Sequence, residues 1–265
     1  MPSHYAHWYF GSLVQKALPA PLAELVRSWP EPFLAGLQGP DVLFHYHPLR
    51  PNPVKGEGSA IHSRSGLCFF TQARDILLQK DTPAGRSYLA GFLCHYMLDT
   101  ACHPLVEEGM AASGASHSSV ETDLDRFLMA RDGVDPYDKT SMDLLPASRP
   151  LAETMAPFYP PVTAAQMETA LRGMRRDIRL TRVRSGAARA VIFRALRMTG
   201  TYEGYHGIFF DPRPLSGCEE STRRLVEKLE AAVEETSEEI GHFFAAVDQG
   251  ESLSQRLKWN FGGTL

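Results

Sequence analysis

Apolar residues along this chain recur with the period of an α-helix. The segment 219–247 is the clearest case, because its apolar positions return at intervals of three, four and seven residues and therefore share one face. These positions are Leu225, Leu229, Val233, Ile240, Phe243 and Val247. The alternation typical of a half-buried strand never persists. The pattern predicts an all-α fold, a single-domain multi-helix bundle of about eight to ten helices over residues 1–265.

The limits of the helices follow from proline and glycine. Pro19 and Pro21 introduce a short helix that Pro30 ends, and Pro104 predicts that a helix ends or bends near His103. The other expected helices cover residues 8–17, 61–79, 84–102, 117–131, 163–198 and 219–247. The proline-rich stretches should be an irregular loop over 39–58 and a long connection with one short helix over 133–161.

Composition adds limits on partners and location. The formal net charge is -4, so the surface as a whole should not attract nucleic acid, and no stable nucleic-acid partner is expected. No run of about 18 apolar residues occurs, so we expect no transmembrane segment. The amino-terminal residues lack the pattern of a signal peptide, which favours a cytoplasmic location. The four cysteines form no CxxC pair and are expected to be reduced and buried.

Histidine spacing carries the candidate chemistry. Eight of the ten histidines lie within the first 117 residues. In the segment GFLCHYMLDTACHP, His95, Asp99 and His103 are four residues apart and share one face of a helix that should be buried. Ligating groups on a buried face are costly unless something compensates them, and a metal ion does so for carboxylate charge and imidazole lone pairs alike. The spacing therefore predicts a metal site.

Other segments supply similar side chains. HSSVE places His117 and Glu121 four apart on the next helix, and His7 precedes an aromatic run. Asp41 follows a Gly-Pro turn, and His62 is expected at the start of a long helix. Imidazole and carboxylate together suit zinc. Since these residues exceed what one ion needs, the sequence predicts two or three zinc ions.

The same residues stand in short motifs whose order is specific. They are AHWYFG with His7, GPD with Asp41, IHS with His62, HYMLD with His95 and Asp99, then His103, and HSSVE with His117 and Glu121. With this ordered set, which spans residues 7–121, the chain resembles the bacterial zinc-dependent phospholipase C family. The family shares its fold with the P1/S1-type zinc nucleases.

The resemblance implies roles for each residue. One zinc would be bound by Asp41, His62, His95 and Asp99, and a second by His103, His117 and Glu121. A third would be held by His7 and a bridging Asp99, with His4 or the amino terminus completing its ligands. The implied reaction is hydrolysis of a phosphate ester, most directly a phosphodiester, by a hydroxide held between zinc ions. Asp41 would be the catalytic carboxylate, as a general base or as the group that orients the water.

Alternatives remain open at this point. A nuclease or 3′-nucleotidase of the same fold, or a non-catalytic zinc-binding helical protein, would contain similar residues. The expected substrate is a small-molecule or phospholipid phosphodiester, for which His45 and His47 could line the entrance. The arginine-rich segment 172–184 is typical of a solvated face, but it could also attract anionic substrates or make a peripheral membrane contact. Each short motif alone also fits simple contacts between residues four apart on a helix.

Overall fold

The computed structural model describes residues 4–137, 145–211 and 213–265. These ranges contain helices and no strand, which confirms the all-α prediction. The α-helices are α1 His4–Ala17, α2 Ala20–Ser28, α3 Pro30–Gly36, α4 Pro53–Ser63, α5 Gly66–Gln79, α6 Pro83–Ser113, α7 His117–Arg131, α8 Arg149–Met155, α9 Ala164–Thr181, α10 Gly186–Met198, α11 Tyr202–Tyr205, α12 Glu219–Ala231 and α13 Val233–Asp248. The 3₁₀ helices are Gly39–His45, Ala156–Phe158, His206–Ile208 and Gln255–Lys258.

The described residues hold thirteen α-helices, more than the eight to ten expected. The long helix expected over 219–247 is divided at Ala232 without a side-chain cap, whereas those expected over 61–79 and 163–198 are divided at capping residues. Ser65 accepts a hydrogen bond from the Leu67 amide and begins α5, while Ser185 accepts one from the Ala188 amide and begins α10. A serine at such a position satisfies a free amide of a helix start, and this local effect outweighs the periodicity.

The expectations for residues 39–58 and for His62 are wrong. Residues 39–58 are not an irregular loop, because they contain the 3₁₀ helix Gly39–His45 and most of α4. Asn52 caps α4 by accepting from the Lys55 amide, and Pro53 occupies the first turn, where a missing N–H costs nothing. His62 consequently lies in the last turn of α4 rather than at the start of a long helix. Pro30 likewise begins α3 as well as ending α2.

Helix α6 also continues through Pro104 to Ser113 instead of ending near His103. Proline cannot donate the bond that helix geometry assigns to the Thr100 carbonyl. The backbone of Gly263, from the carboxyl-terminal tail, packs against this interruption. A β-carbon on Gly263 would lie 2.6 Å from the Thr100 oxygen and 3.2 Å from Pro104 Cγ. Tertiary packing thus covers the weak point in the helix.

Helix α6 is the centre of the structure. Every residue from Ser87 to Cys102 is buried, as expected of a helix that other helices surround. Helix α3 crosses it closely, since a β-carbon on Gly91 would lie 2.2 Å from the Phe33 carbonyl oxygen. The ligand-type residues of α6 therefore lie in the core of the protein.

No described helix is both long and apolar enough to cross a lipid bilayer. The cysteines are unpaired, as expected, and three of them are buried, whereas Cys68 is exposed on α5.

Candidate metal centre

The structure brings all eight predicted ligands together. They come from α1, the 3₁₀ helix Gly39–His45, α4, α6 and α7. Within the described residues they form three groups in which the ligand atoms lie within 4.8 Å of one another. The groups are His7, His95 and Asp99; Asp41, His62 and His95; and His103, His117 and Glu121.

Asp99 lies between three imidazoles. Its Oδ1 is 3.3 Å from Nε2 of His7, and its Oδ2 is 3.3 Å from Nε2 of His95. The same Oδ2 is 3.9 Å from Nε2 of His62, whose nearer carboxylate is Asp41 at 3.0 Å. Because both oxygens of Asp99 face histidine nitrogens, this carboxylate connects the first two groups.

Glu121 organises the third group from α7. Its Oε1 is 3.1 Å from Nε2 of His117, one turn earlier on the same helix. It is also 3.6 Å from Nε2 of His103 on α6. The two helices thus direct two imidazoles towards one carboxylate oxygen.

Three of the imidazoles are oriented by backbone carbonyl groups. Nδ1 of His62 donates to the Gly58 oxygen at 2.8 Å, one turn earlier in α4. Nδ1 of His95 donates to Leu37 at 3.2 Å, and Nδ1 of His103 to Phe261 at 2.6 Å. A carbonyl oxygen can only accept, so each Nδ1 carries the hydrogen. In the neutral ring the Nε2 lone pair then faces a carboxylate, which is repulsive unless a proton or a metal ion lies between them.

The distances fit a metal ion. Two ligands bound tetrahedrally to zinc are separated by about 3.3 Å, whereas charge-assisted hydrogen bonds are shorter, about 2.7–2.9 Å. The separations from Asp99 to His7 and to His95 are both 3.3 Å. Nε2 of His95 is buried and makes no hydrogen bond among the described residues. Imidazoles whose other nitrogen is held by a carbonyl are the usual zinc ligands, so these residues fit the metal.

The electrostatics of the centre favour positive charge. Burial alone lowers the pKa of His103, but Asp99 and Glu121 outweigh it and raise this pKa to about 9. Burial alone raises the pKa of Asp99, but His95 and His103 hold it well below its usual range. His7 differs, because burial and the nearby His95 lower its pKa. The carboxylates thus stay ionised and attract cations.

The amino-terminal end of α1 is fixed by a buried carboxylate that sequence reasoning missed. Asp125 on α7 accepts from the Tyr5 amide at 3.1 Å and from the Ala6 amide at 2.8 Å. His4 belongs to none of the three groups, and its Nδ1 pairs with Gln38 Oε1 at 2.9 Å. Burial, together with the nearby His45, lowers the pKa of His4 to about 3.

The carboxyl-terminal tail contacts two of the groups, which no motif had indicated. Besides accepting from His103, Phe261 donates its amide to the His62 carbonyl at 3.3 Å. Its buried ring lies 4.9 Å from the ring of His62 and 5.9 Å from that of His95. Backbone contacts of this kind leave no signal in residue type.

A cavity of about 880 Å³ adjoins the centre. None of the eight candidate ligands is among the described residues that line the cavity. The lining does include residues close to the ligands in sequence, such as Phe44 and Ser118. Phe44 lines it and lies 5.5 Å from the ring of His62. His45 and His47 line it as well, and Nδ1 of His45 pairs with Asp177 at 2.9 Å. The basic residues of the lining include Lys55, Arg176 and Arg182.

Facing helices direct imidazoles and carboxylates into a shared core, an arrangement that could hold metal ions. A family model described as zinc dependent phospholipase C matches residues 6–170, and the chain belongs to this family. The resemblance indicated by the ordered motifs is thereby confirmed. All eight predicted ligands lie in the matched residues, whereas α10 and Phe261 lie outside them. No curated protein and no solved structure matched the chain.

Proposed function

We propose that this protein is a zinc-dependent hydrolase of phosphate esters, most directly a phospholipase C-like phosphodiesterase. The observation that carries the proposal is the His95–Asp99–His103 face of α6, which is buried at His95 and Asp99 and half-buried at His103. There imidazole Nε2 atoms point at carboxylates while Nδ1 atoms are held by carbonyl groups. Membership in a zinc-dependent phospholipase C family supports both the metal and the class of reaction.

The three groups suggest how the ligands are divided. Asp41, His62, His95 and Asp99 would hold one zinc, and His103, His117 and Glu121 a second. His7 and Asp99 would hold a third, with Asp99 as the bridge. The 3.3 Å separation of Asp99 Oδ1 from His7 Nε2, on the opposite oxygen from His95, supports that bridging role. Two or three ions are therefore proposed.

Bound zinc would supply a Lewis acid for phosphoryl oxygens and would lower the pKa of a water molecule towards neutrality. Asp41 is the catalytic carboxylate that we propose beside it. Burial alone raises the pKa of Asp41, but nearby positive charges, including His62, hold it below its usual range. A carboxylate with so low a pKa is a weak base near neutral pH, so Asp41 fits the orientation of water better than removal of its proton.

The cavity supports a phosphodiester substrate with an apolar part. Apolar side chains such as Ile178 and Leu196 form much of its wall, and Lys55 and Arg176 add positive charge for a phosphate. Pockets of this kind bind ligands that are mostly apolar and carry a few polar groups. A phospholipid has this character.

A nuclease or 3′-nucleotidase is the second candidate, and one observation favours it. Tyr205 and Phe209 line the same cavity, are half-buried and offer rings on which bases could stack. Hydrolysis of short-chain phospholipids and of single-stranded oligonucleotides or 3′-nucleotides by one zinc-loaded preparation separates the two candidates. A preference for the oligonucleotides or 3′-nucleotides would transfer the proposal to the second.

The test of the hydrolase proposal combines metal content with turnover. Hydrolysis of bis(p-nitrophenyl) phosphate should be lost with chelator and restored with zinc. Asp99→Asn should abolish zinc loading and activity, because it removes the proposed bridging carboxylate. The matched control is Asp75→Asn, at an exposed position on α5 that pairs with Arg74. Full activity with normal zinc content in Asp99→Asn would refute the bridging role. A protein that binds zinc but never turns over a phosphodiester would be the non-catalytic alternative.

A further inference from the structure

One segment of the chain is strongly basic, although the chain as a whole is acidic. Residues 172–198 contain nine arginines and one acidic residue, Asp177, whereas the whole chain has a formal net charge of -4. The segment covers the second half of α9 and all of α10. Acidic side chains pair with four of these arginines, namely Arg172, Arg176, Arg184 and Arg189. The positive charge that complements an anionic surface is therefore best represented by Arg194 and Arg197, which are exposed on α10.

Helix α10 has no buried residue although most of its residues are apolar. Ile192, Phe193 and Leu196 face inward and are half-buried. On the outer face, Val191 and Met198 are 70 % and 81 % exposed, and they stand seven residues apart, one above the other. An ordinary surface helix turns its apolar residues towards the core, whereas α10 also exposes the apolar Val191 and Met198 to solvent.

Basic residues stand among these apolar ones. Arg194 is exposed on the same outer face of α10, three residues after Val191 and four before Met198. The exposed Arg197 holds its guanidinium 3.9 Å from the centre of the Tyr202 ring. Alternating arginine and aliphatic side chains are typical of a helix that lies in a membrane interface, with charges at the phosphates and aliphatic groups below them.

The rim of the cavity continues this surface. Leu49 and Leu180 line the cavity, and yet they are 71 % and 61 % exposed. Leu196 of α10 lines it from the inner side. We define the α10 face as α10 together with Leu49 and Leu180. It combines exposed aliphatic groups, a high density of arginine and the edge of the cavity.

We propose that the α10 face docks on a phospholipid bilayer that contains anionic lipid. Val191, Met198 and the two rim leucines enter the interface, and Arg194 and Arg197 contact headgroup phosphates. A bilayer fits better than a nucleic acid, because a nucleic acid would satisfy the arginines but leave the aliphatic side chains exposed. The α10 face lies largely outside residues 6–170, so its docking is not a property of the part that matches the family. The docking does not rest on the proposed function; the proposed function adds only that a docked cavity could take its substrate from the bilayer.

Vesicle sedimentation with the zinc-loaded full chain tests the docking. The chain should sediment with vesicles that mix phosphatidylcholine and phosphatidylglycerol, much less with phosphatidylcholine alone, and salt should weaken the binding. Asp99→Asn should sediment like the parent, because docking needs no turnover. Loss of activity with retained binding would therefore leave the docking proposal standing.

Two pairs of variants locate the surface. Arg194→Glu should weaken binding about tenfold, whereas Lys16→Glu, the same charge change at an exposed position on α1, should not. The double variant Val191→Ser with Met198→Ser should also weaken it about tenfold, whereas Leu78→Ser, at an exposed position on α5, should not. All these sites are exposed, so unchanged thermal unfolding should verify that the variants fold.

Three outcomes overturn the proposal. One is equal sedimentation with neutral and mixed vesicles. Another is parental binding by both α10 variants. The third is no vesicle binding together with tight binding of a single-stranded oligonucleotide, which would assign the arginine surface to nucleic acid instead.

Discussion

Nδ1 of His103 donates a hydrogen bond to the carbonyl oxygen of Phe261 at 2.6 Å, across 158 residues of sequence. Phe261 also donates its amide hydrogen to the carbonyl oxygen of His62. One tail residue therefore contacts members of two of the three groups. Trp259 secures the tail nearby, since its carbonyl accepts from the Tyr96 hydroxyl at 2.9 Å and from the Gly66 amide at 2.8 Å. The tail thus completes a centre whose proposed ligands all lie in the first half of the chain.

Deletion of residues 260–265 should therefore weaken zinc binding. The His103 ring would lose the acceptor that fixes its orientation and keeps its Nε2 directed at Glu121, and loss of such a partner typically costs about 10–100-fold in metal affinity. Competition with a chromogenic chelator measures the affinity. Deletion of Leu265 alone, which is exposed, is the control and should change nothing. A folded 260–265 deletion that binds zinc like the parent would show that the tail does not support the centre.

Substitution of Gly39 should lower zinc content as substitution of a proposed ligand would, although glycine has no side chain. Its φ is +50°, in the left-handed region, and a β-carbon there would lie 2.3 Å from Cδ2 of His95. Gly39→Ala should cost about 1–2 kcal/mol from the backbone alone and should also displace the His95 ring. We expect lower zinc content together with a lower temperature of unfolding.

Gly241→Ala is the matched control for that substitution. Gly241 lies inside α13, and apart from its chain neighbours and the backbone of its own helix no atom lies within 4 Å of where its β-carbon would be. Alanine should raise stability there by about 0.5–1 kcal/mol and leave zinc content unchanged. If Gly39→Ala keeps its zinc, the position of His95 does not depend on the close passage of this glycine.

The sequence was sufficient to predict helices and to select residues that converge. Positions four apart on a helix share a face wherever the helix lies, so His95 with Asp99 and His117 with Glu121 could be paired in advance. Helix limits were harder, because proline both ends helices and begins them. Pro30 and Pro53 act in first turns, and packing of the tail lets α6 continue through Pro104.

The supports of the centre could not be predicted. Leu37, Gly58 and Phe261 contribute carbonyl oxygens, which every residue possesses, so their residue types give no sign of the role. Asp125 was invisible for a different reason. Its partners are backbone amides 119 and 120 residues away, and only the packing of α1 against α7 brings them together.

Asp125→Asn should loosen the start of α1, the helix that carries His7. Each carboxylate oxygen accepts from one amide, whereas asparagine offers one oxygen and turns an NH₂ group towards the other donor. One buried amide is then unsatisfied, which costs about 1–3 kcal/mol. Chemical denaturation should show this loss, with Asp75→Asn unchanged as the control. A variant as stable as the parent would mean that Asp125 does not anchor α1.

Zinc uptake should release protons near neutral pH. Asp99 and Glu121 overcome the effect of burial and raise the pKa of His103 to about 9, so the metal-free ring carries a proton at lower pH. Zinc binds only the neutral imidazole, so binding must displace that proton. Above about pH 9 the metal-free His103 ring is already neutral, and its share of the proton release should disappear. His7, whose pKa is lowered by burial, should contribute no proton.

Calorimetric titration of zinc into the metal-free protein measures this release, because the observed heat then depends on the ionisation enthalpy of the buffer. Below the pKa of His103 the apparent affinity should rise about tenfold per pH unit for each displaced proton. Above that pKa, the contribution of His103 to the pH dependence of the apparent zinc affinity should disappear. Heats that do not depend on the buffer near neutral pH would show that His103 is already neutral. The raised pKa that the charges of Asp99 and Glu121 give to His103 in the metal-free protein would then be wrong.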